Sequence, residues 1–280
     1  MTQIAGVLYV VATPIGNRTD ISARACQVLA DVDLIACEDT RHSRPLLRHL
    51  GLDKPLAALH EHNEEEATAR LLAMLANGKR IALISDAGTP LVSDPGFVLV
   101  RAARERGLTV IPIPGPSALI CALSAAGLPS DRFVFLGFPP RTEAARLRWL
   151  TALADEPGTL ICYESGRRAE ATLNAMASVF GARPAVLARE LTKRFETFIS
   201  ASLPDLAQRI ASDSEQQLGE LVILVEGDRR DSDQRATAEQ QRILAILADE
   251  LPLKQAVGLA ARITGGNRNR LYQQALAAKR

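Results

Sequence analysis

The chain has 280 residues, of which 47% are hydrophobic, and a formal net charge of +1 at pH 7. This length exceeds that of one typical domain and the apolar content can supply sizeable cores, so we expect two domains. No run approaches the roughly 18 apolar residues of a membrane helix. The apolar start, Ile4–Thr13, is short, β-rich and without a basic lead-in, which excludes a signal peptide and predicts a soluble, cytoplasmic protein.

The four cysteines lie far apart, and no C-x-x-C pair is present. This spacing argues against a disulfide framework and a zinc site, and we expect reduced thiols in apolar surroundings and no metal.

The charge is unevenly distributed along the chain. Residues 235–280 contain eight basic and three acidic residues, and no acid follows Leu253. A basic extension on an acidic body favours an anionic partner such as a nucleic acid.

The first 126 residues show five apolar, β-rich runs that alternate with helical patterns. The predicted strands are 7–12, 33–37, 54–59, 81–85 and 109–113, and the predicted helices end near residues 30, 50, 76, 106 and 126. This alternation is typical of an α/β fold, and it predicts a mostly parallel five-stranded sheet with helices on both faces.

Residues 127–227 predict a second, smaller α/β domain with a mixed sheet. Its strands are expected at 133–138, 159–163, 184–189, 196–200 and 220–226, with helices at 142–153, up to 180, and at 204–211. Residues 227–234 contain no apolar side chain and predict a linker. The C-terminal helical extension, 235–280, shows helical patterns at 237–249, 253–263 and 267–278, and Thr264-Gly265-Gly266 between the last two resembles a helix-turn-helix.

One loop stands out, Ser85–Gly96, between a buried strand and a helix. It contains two carboxylates and two glycines, and it is longer than the 2–6 residues usual for such connections. Open α/β sheets bind ligands beyond the carboxyl ends of their strands, so this loop is a candidate ligand site.

Polar clusters end all five predicted strands of the first domain. They are Thr13–Asn17, Glu38–Arg41, His60–Asn63, Asp86–Asp94 and Pro114–Ser117. In a parallel sheet these ends share one edge, so the clusters are expected to line one crevice. The dinucleotide and phosphate-loop fingerprints are absent, and few cations accompany these clusters. A ligand with a positive centre, a ribose and an adenine fits them better, and S-adenosylmethionine has these parts.

Several long motifs occur together in one order. They are Leu8–Asn17, Cys37–Arg41, His60–Glu64, Ser85–Gly96, Pro114–Ala118, Tyr163–Ser165 and Arg189–Lys193. In this order they closely resemble the ribosomal RNA methyltransferase branch of the tetrapyrrole methylase superfamily, over residues 5–226. The resemblance implies S-adenosylmethionine-dependent 2′-O-methylation of a cytidine in the decoding region of 16S ribosomal RNA, in the small subunit. It also implies a homodimer of two α/β domains with the cofactor between them.

The resemblance also implies site residues. The cofactor contacts would be Pro14, Asp86, Ala87, Gly88, Ser93, Asp94, Pro116, Ser117, Ala118, Tyr163 and Leu191. Candidates for substrate contact are Arg41, His60, Glu61, His62, Asn63, Arg167, Arg268 and Arg270. Arg18 and Gly166-Arg167 depart from the family pattern, where a leucine and a Pro-His pair are usual, so substrate contacts near Arg167 are in doubt.

Ribose methylation needs alignment of oxygen and methyl carbon, and a general base would help. Glu190 and Lys193 are the candidate catalytic residues, with Glu38 or His62 as alternatives. A lysine serves as base only with a depressed pKa, and phosphate binding is the other interpretation of Lys193.

Three other functions fit this sequence less well. Methylation of a tetrapyrrole carbon would suit the same fold, but a small macrocycle does not require a basic, acid-free tail. A non-catalytic RNA-binding assembly factor would have lost its cofactor motifs, which are intact here. A nicotinamide-dependent reductase lacks its glycine fingerprint.

Overall fold

The structure is a computed structural model and describes residues 6–60, 62–230 and 232–278. These residues form two compact units. The first runs to Leu153 and includes Gly158–Glu226, and the second comprises Ala154–Pro157 and the chain from Gly227 onward. Glu61, a candidate substrate residue, lies outside the described residues.

The first sheet of the larger unit is entirely parallel. Its strands are β1 (Val7–Val11), β2 (Leu34–Cys37), β3 (Leu56–Ala58), β4 (Arg80–Ile84) and β5 (Thr109–Ile113), in the order β3-β2-β4-β1-β5. The intervening helices are α1 (Ala23–Asp31), α2 (Thr40–His49), α3 (Glu64–Ala76), α4 (Phe97–Glu105) and α5 (Ala118–Ala126). The predicted alternation of five strands and five helices is confirmed.

The two faces of this sheet are covered by different helices. All four β2 residues are buried; Leu34 and Ala36 pack in the cluster that contains α3 and α4, whereas Ile35 and Cys37 pack with α1 and α2. A continuous apolar run is what a strand covered on both faces requires. Cys37 and Cys162 are buried and Cys26 and Cys121 half-buried, all four as free thiols.

The second sheet of the same unit is mixed, as predicted. Its strands are β6 (Phe133–Phe135), β7 (Thr159–Ser165), β8 (Pro184–Arg189), β9 (Thr197–Ser202) and β10 (Glu220–Val225), in the order β6-β7-β10-β8-β9. Only the β6–β7 pair is parallel. Its helices are α6 (Glu143–Thr151), α7 (Gly166–Phe180) and α8 (Leu203–Ser212). A division of this unit into folding domains at 126–127 stays a prediction.

Helix α5 follows the first sheet in sequence but packs on the second. Leu119, Ala122 and Leu123 share a buried cluster with Ile161 and Leu224 of the second sheet, whose other face is covered by α6–α8. This packing places α5, which starts just after the carboxyl end of β5, against β7, β8 and β10.

The junction of β7 and α7 differs from the sequence prediction. A loop was expected over residues 164–168, but Glu164 and Ser165 pair with Leu221 and Glu220, and α7 begins directly at Gly166. A Cβ at position 166 would lie 2.5 Å from the Gln217 backbone, so glycine permits this close approach.

The smaller unit contains α9 (Ser232–Glu250), α10 (Leu253–Thr264) and α11 (Arg268–Ala278). Buried residues Leu244, Val257 and Leu271 unite the three helices. The boundary and the polar, charged linker expected over residues 227–234 stay predictions. Asp228 is buried and binds Arg230 at 2.8 Å. Helix α9 starts five residues before the predicted 237, because Ser and Asp favour helix starts and neither Gly nor Pro interrupts the run.

None of the helices formed by the described residues is long and apolar enough to cross a membrane.

Candidate active site

A cavity of about 390 Å³ lies within the larger unit, between the Ser85–Gly96 loop, the start of α5 and the second sheet. Most of the predicted cofactor residues line it, namely Asp86, Ala87, Gly88, Ser93, Asp94, Ser117, Ala118, Tyr163 and Leu191. Pro14 and Pro116 are adjacent to lining residues: Ile15 lines the cavity, and the Pro116 carbonyl accepts the Thr89 hydroxyl at 3.0 Å. The lining residues come from seven separate segments of the chain, which therefore converge on one space.

The Ser85–Gly96 loop is held in an unusual conformation. The φ angles of Gly88 and Gly96 are +86° and +122°, and those of Leu91 and Ser93 are +72° and +68°. Left-handed backbone is disfavoured for Leu and Ser, so other contacts must fix the loop.

Two sets of contacts hold the ends of this loop. The Thr13 N–H donates to the Gly88 carbonyl at 2.8 Å, and the Gly88 N–H donates back to Thr13 at 3.1 Å. At the other end, Glu64 accepts the N–H groups of Gly96 at 2.9 Å and Val98 at 3.2 Å. The carboxylate of Glu64 thus satisfies donors at the α4 N-terminus, where negative charge is favoured.

Carboxylates concentrate on the loop side of the cavity. Burial raises the pKa of Asp94 to about 6, and the negative charges of Glu38 and Asp86 add to this effect. Asp86 Oδ2 lies 2.9 Å from His42 Nδ1, and its other oxygen accepts the Asp39 N–H at 3.3 Å. The hydrogen bond to Asp86 raises the pKa of His42. The cavity therefore presents negative charge that is only partly compensated.

Aromatic side chains form the opposite wall. The Tyr163 ring contacts Phe135 and Phe138 edge-to-face, with centroid distances of 4.8 and 5.6 Å. Its hydroxyl accepts the Leu119 N–H at 3.2 Å, and burial raises its pKa, so the phenol is neutral at physiological pH. Tyr163 thus joins the second sheet to the start of α5.

The loop after β8 adds an ion-pair network. Lys193 Nζ lies 2.9 Å from both Glu190 and Glu220. Burial lowers the pKa of Lys193, but its hydrogen bonds to the two carboxylates raise it by more, and the net pKa is above the usual value. Burial likewise raises the pKa of Glu190, but the hydrogen bonds from Lys193 and the Glu220 N–H and the nearby positive charges together lower it by more, for a net decrease. Both groups are charged at neutral pH, and Lys193 lines the cavity.

The network also contacts the first loop of the chain. The Asn17 N–H donates to Thr192 Oγ1 at 3.1 Å, and a Cβ on Gly16 would lie 2.5 Å from Lys193 Cγ. The absence of a side chain at Gly16 therefore lets the loops after β1 and β8 meet.

The described candidate substrate residues of the larger unit are not among those that line the cavity. Arg41 is exposed and pairs with Asp39 at 2.7 Å. The side-chain oxygen of Asn63 accepts the His60 N–H, and its side-chain nitrogen donates to the Ala58 carbonyl. The Asn63 side chain therefore stabilises its own turn. The His60 and His62 rings lie 6.1 Å apart.

Four further arginines named in the sequence analysis lie at the surface. Arg18 is exposed in the short turn after β1, and Arg167 is exposed in the first turn of α7. Arg268 and Arg270 are exposed on α11 of the smaller unit.

Sequence reasoning missed several lining residues, notably Ile15, Phe138 and Glu220. Phe138 stands between Gly137 and two prolines at the end of the predicted strand 133–138, which is a pattern that could have drawn attention to it. No group of three or more potential metal ligands occurs among the described residues.

Comparison with known proteins is consistent with this arrangement. The chain is 56% identical over 274 residues to ribosomal RNA small subunit methyltransferase I of Pseudomonas aeruginosa, with 97% of both chains covered. It is 51% identical over 272 residues to the protein of the same name from Escherichia coli O157:H7, covering 97% of this chain and 95% of that one. The solved uroporphyrin-III-C-methyltransferase from Thermus thermophilus has the same fold, with a TM-score of 0.57 and 21% identity over 79% of this chain and 94% of that chain.

Two family models match the chain in succession. Residues 7–207 match the tetrapyrrole (corrin/porphyrin) methylases, and residues 234–279 match the RsmI C-terminal HTH domain. The chain belongs to the tetrapyrrole methylase family and, within it, to the ribosomal RNA small subunit methyltransferase I group.

Proposed function

We propose that this S-adenosylmethionine-dependent methyltransferase methylates the 2′-hydroxyl of a cytidine in 16S ribosomal RNA of the small subunit. The observation that carries the proposal is the full-length similarity, which includes the C-terminal extension, to proteins named ribosomal RNA small subunit methyltransferase I. The decoding region as the target, and a homodimer as the active form, stay predictions of that resemblance.

The cavity suits the cofactor in size and charge. Small-molecule sites usually enclose about 300–1,000 Å³, and about 390 Å³ leaves room for one such ligand. S-Adenosylmethionine supplies a methyl group on a positively charged sulfur. Asp86 and Asp94 provide negative charge towards such a ligand, and Ala87, Gly88, Ser117 and Ala118 offer backbone groups and small side chains that allow close approach.

The residues then have two tasks, to hold the ribose oxygen in line with the methyl carbon and to accept its proton. The raised pKa of Lys193 keeps its ammonium charged at neutral pH, and a charged ammonium donates hydrogen bonds but accepts no proton. We therefore assign Lys193 the role of binding the RNA backbone or a developing negative charge. Glu190 then positions Lys193 through their 2.9 Å contact.

A methyl-transfer assay tests the reaction. Tritiated S-adenosylmethionine and the purified full-length protein are given 30S subunits, naked ribosomal RNA and a tetrapyrrole precursor in parallel. We expect label on a ribose oxygen of the RNA. Label on the macrocycle alone would contradict the RNA substrate and favour methylation of a tetrapyrrole carbon.

A second prediction concerns pH. Above about pH 6 Asp94 is ionised and attracts the positive sulfur, whereas protonation below that pH removes the attraction. The affinity for S-adenosylmethionine should therefore fall about fourfold between about pH 7.5 and about pH 5.5. S-Adenosylhomocysteine, which has the same adenosine and amino-acid parts but a neutral sulfur, should show a weaker dependence in calorimetric titrations.

The variant Asp94→Asn isolates this effect from the nearby His42, which also gains charge as the pH falls. In this variant the difference between the two ligands should shrink, and any remaining dependence belongs to His42. Equal pH dependence of both ligands in the wild-type protein would contradict a charge interaction at Asp94.

A third prediction separates the two interpretations of Lys193. Arginine keeps a positive charge and does not act as a base at neutral pH. If Lys193 acts as a cation, Lys193→Ala should lower kcat about 10- to 100-fold and Lys193→Arg should restore most of it. If Lys193→Arg is as inactive as Lys193→Ala while both bind cofactor normally, Lys193 acts as the base.

The C-terminal unit supplies a basic surface for RNA. Lys254, Arg262 and Arg268 line a concave surface formed by α10 and α11, and Arg270 is exposed nearby on α11. None of these four cations forms an ion pair with another described residue. Cations without a protein partner are available to phosphates, whose neutralisation makes binding salt-dependent.

A fourth prediction follows from this surface. The double variant Arg268→Gln with Arg270→Gln should bind RNA more weakly, and its log Kd should change less steeply with log salt, by about 1.4–1.8 units of slope. Arg242→Gln is the matched control, because Arg242 is already paired with Glu239 at 2.7 Å in the same unit. If the slope of log Kd against log salt is the same for the double variant and the control, Arg268 and Arg270 do not contact RNA phosphates.

A further inference from the structure

Phe138 is an exposed aromatic residue at the mouth of the cavity. It lines the cavity, yet 57% of the residue is exposed to solvent. A large apolar ring left in water at a binding site requires an explanation, because its burial elsewhere in the fold would be favourable.

The backbone around Phe138 is firmly held. The Tyr163 N–H donates to the Gly137 carbonyl at 2.9 Å, and Pro139 is buried. Arg168 donates to the Pro139 and Pro140 carbonyls at 2.6 and 3.2 Å. The exposure of Phe138 is thus a fixed feature of the fold.

Arg168 is itself held in place. It lies 3.4 Å from Glu164, whose side chain is fully buried and also accepts the Thr172 hydroxyl at 2.7 Å. Arg146 adds a bond to the Pro140 carbonyl at 3.3 Å. Two arginines and a buried carboxylate therefore fix a segment whose one exposed aromatic side chain lies beside the cavity.

The Phe138 ring packs against the ring of Tyr163. Its centroid lies 5.6 Å from that of Tyr163 at an interplanar angle of 63°, and Tyr163 in turn contacts Phe135. This edge-to-face stack sets the orientation of the Phe138 ring while more than half of the residue remains exposed.

We propose that Phe138 is a stacking platform for the base of the RNA nucleotide whose ribose is methylated. The inference rests on the RNA substrate proposed above. The cavity has room for one small molecule, so a base that arrives with its ribose has to lie at the mouth, beside this ring. Unpaired bases are bound by proteins largely through stacking on aromatic rings, whereas one exposed ring gives little hydrogen-bonding specificity.

The competing occupant is the adenine of the cofactor, which would stack on the same ring. The exposure of Phe138 favours the RNA base, because the cofactor belongs in the enclosed part of the cavity beside Asp86 and Asp94. The two occupants predict different losses when the ring is removed, which makes them separable.

The test compares Phe138→Ala, Phe138→Leu and Phe138→Trp, with Phe97→Ala as the control. Phe97 is 62% exposed and does not line the cavity. The measurements are cofactor affinity by calorimetry, RNA affinity with S-adenosylhomocysteine saturating, and kcat/KM for the RNA substrate established in the methyl-transfer assay.

We expect Phe138→Ala and Phe138→Leu to lower RNA affinity and kcat/KM by about 5- to 150-fold, the usual range for one lost stacking contact. Phe138→Trp should stay within about threefold of the wild type because it keeps an aromatic face. Cofactor affinity should be unchanged in all three variants, and Phe97→Ala should behave as the wild type.

Three results would overturn the inference alone. They are a parallel loss of cofactor affinity, which would assign the ring to the adenine; full RNA binding by Phe138→Leu, which would exclude stacking; and no change in any variant. Failure of the wild-type protein itself to methylate RNA would instead overturn the proposed function, and this inference with it.

Discussion

The position of helix α5 determines where the site forms. The helix continues from the first sheet but buries Leu119, Ala122 and Leu123 against the second, so the carboxyl end of β5 is brought next to β7 and β10. The Leu119 N–H, one of the donors left free at the start of the helix, is satisfied by the Tyr163 hydroxyl. The same packing therefore joins the two sheets and creates a cavity with loops of the first on one side and strands of the second on the other.

The two sides of the cavity offer different chemistry. The first sheet contributes carboxylates at Asp86 and Asp94, in surroundings buried enough to raise the pKa of Asp94. The second contributes the Tyr163 and Phe138 rings and the paired Lys193. A cationic cofactor suits the acidic side, and a nucleotide with a flat base and a phosphate suits the other. This difference between the two sides arises because each side is built from a different sheet.

The sequence predicted those parts of the structure that depend on local pattern. Apolar runs and strand-end clusters identified the first sheet and the Ser85–Gly96 loop, because a strand buried on both faces has to be continuously apolar. The sheet on which α5 packs was not predictable, because the apolar residues of a helix do not indicate which of two sheets they cover. The charge state of Lys193 depends on Glu220, which is distant in sequence and reaches it only through the pairing of β10 with β8. The direct junction at Gly166 depends likewise on the backbone of Gln217.

Backbone strain is concentrated at this site. The non-glycine residues with left-handed φ among those described are Leu91, Ser93, Glu190 and Thr192. Each such residue costs about 1–3 kcal/mol, and such a cost persists only where the surroundings impose it. Here the Thr13–Gly88 bridge, the Glu64 contacts and the Asn17–Thr192 hydrogen bond impose it. Because these contacts hold two loops of the cavity in strained conformations, the binding groups are in place before a ligand arrives. Binding then costs less conformational entropy.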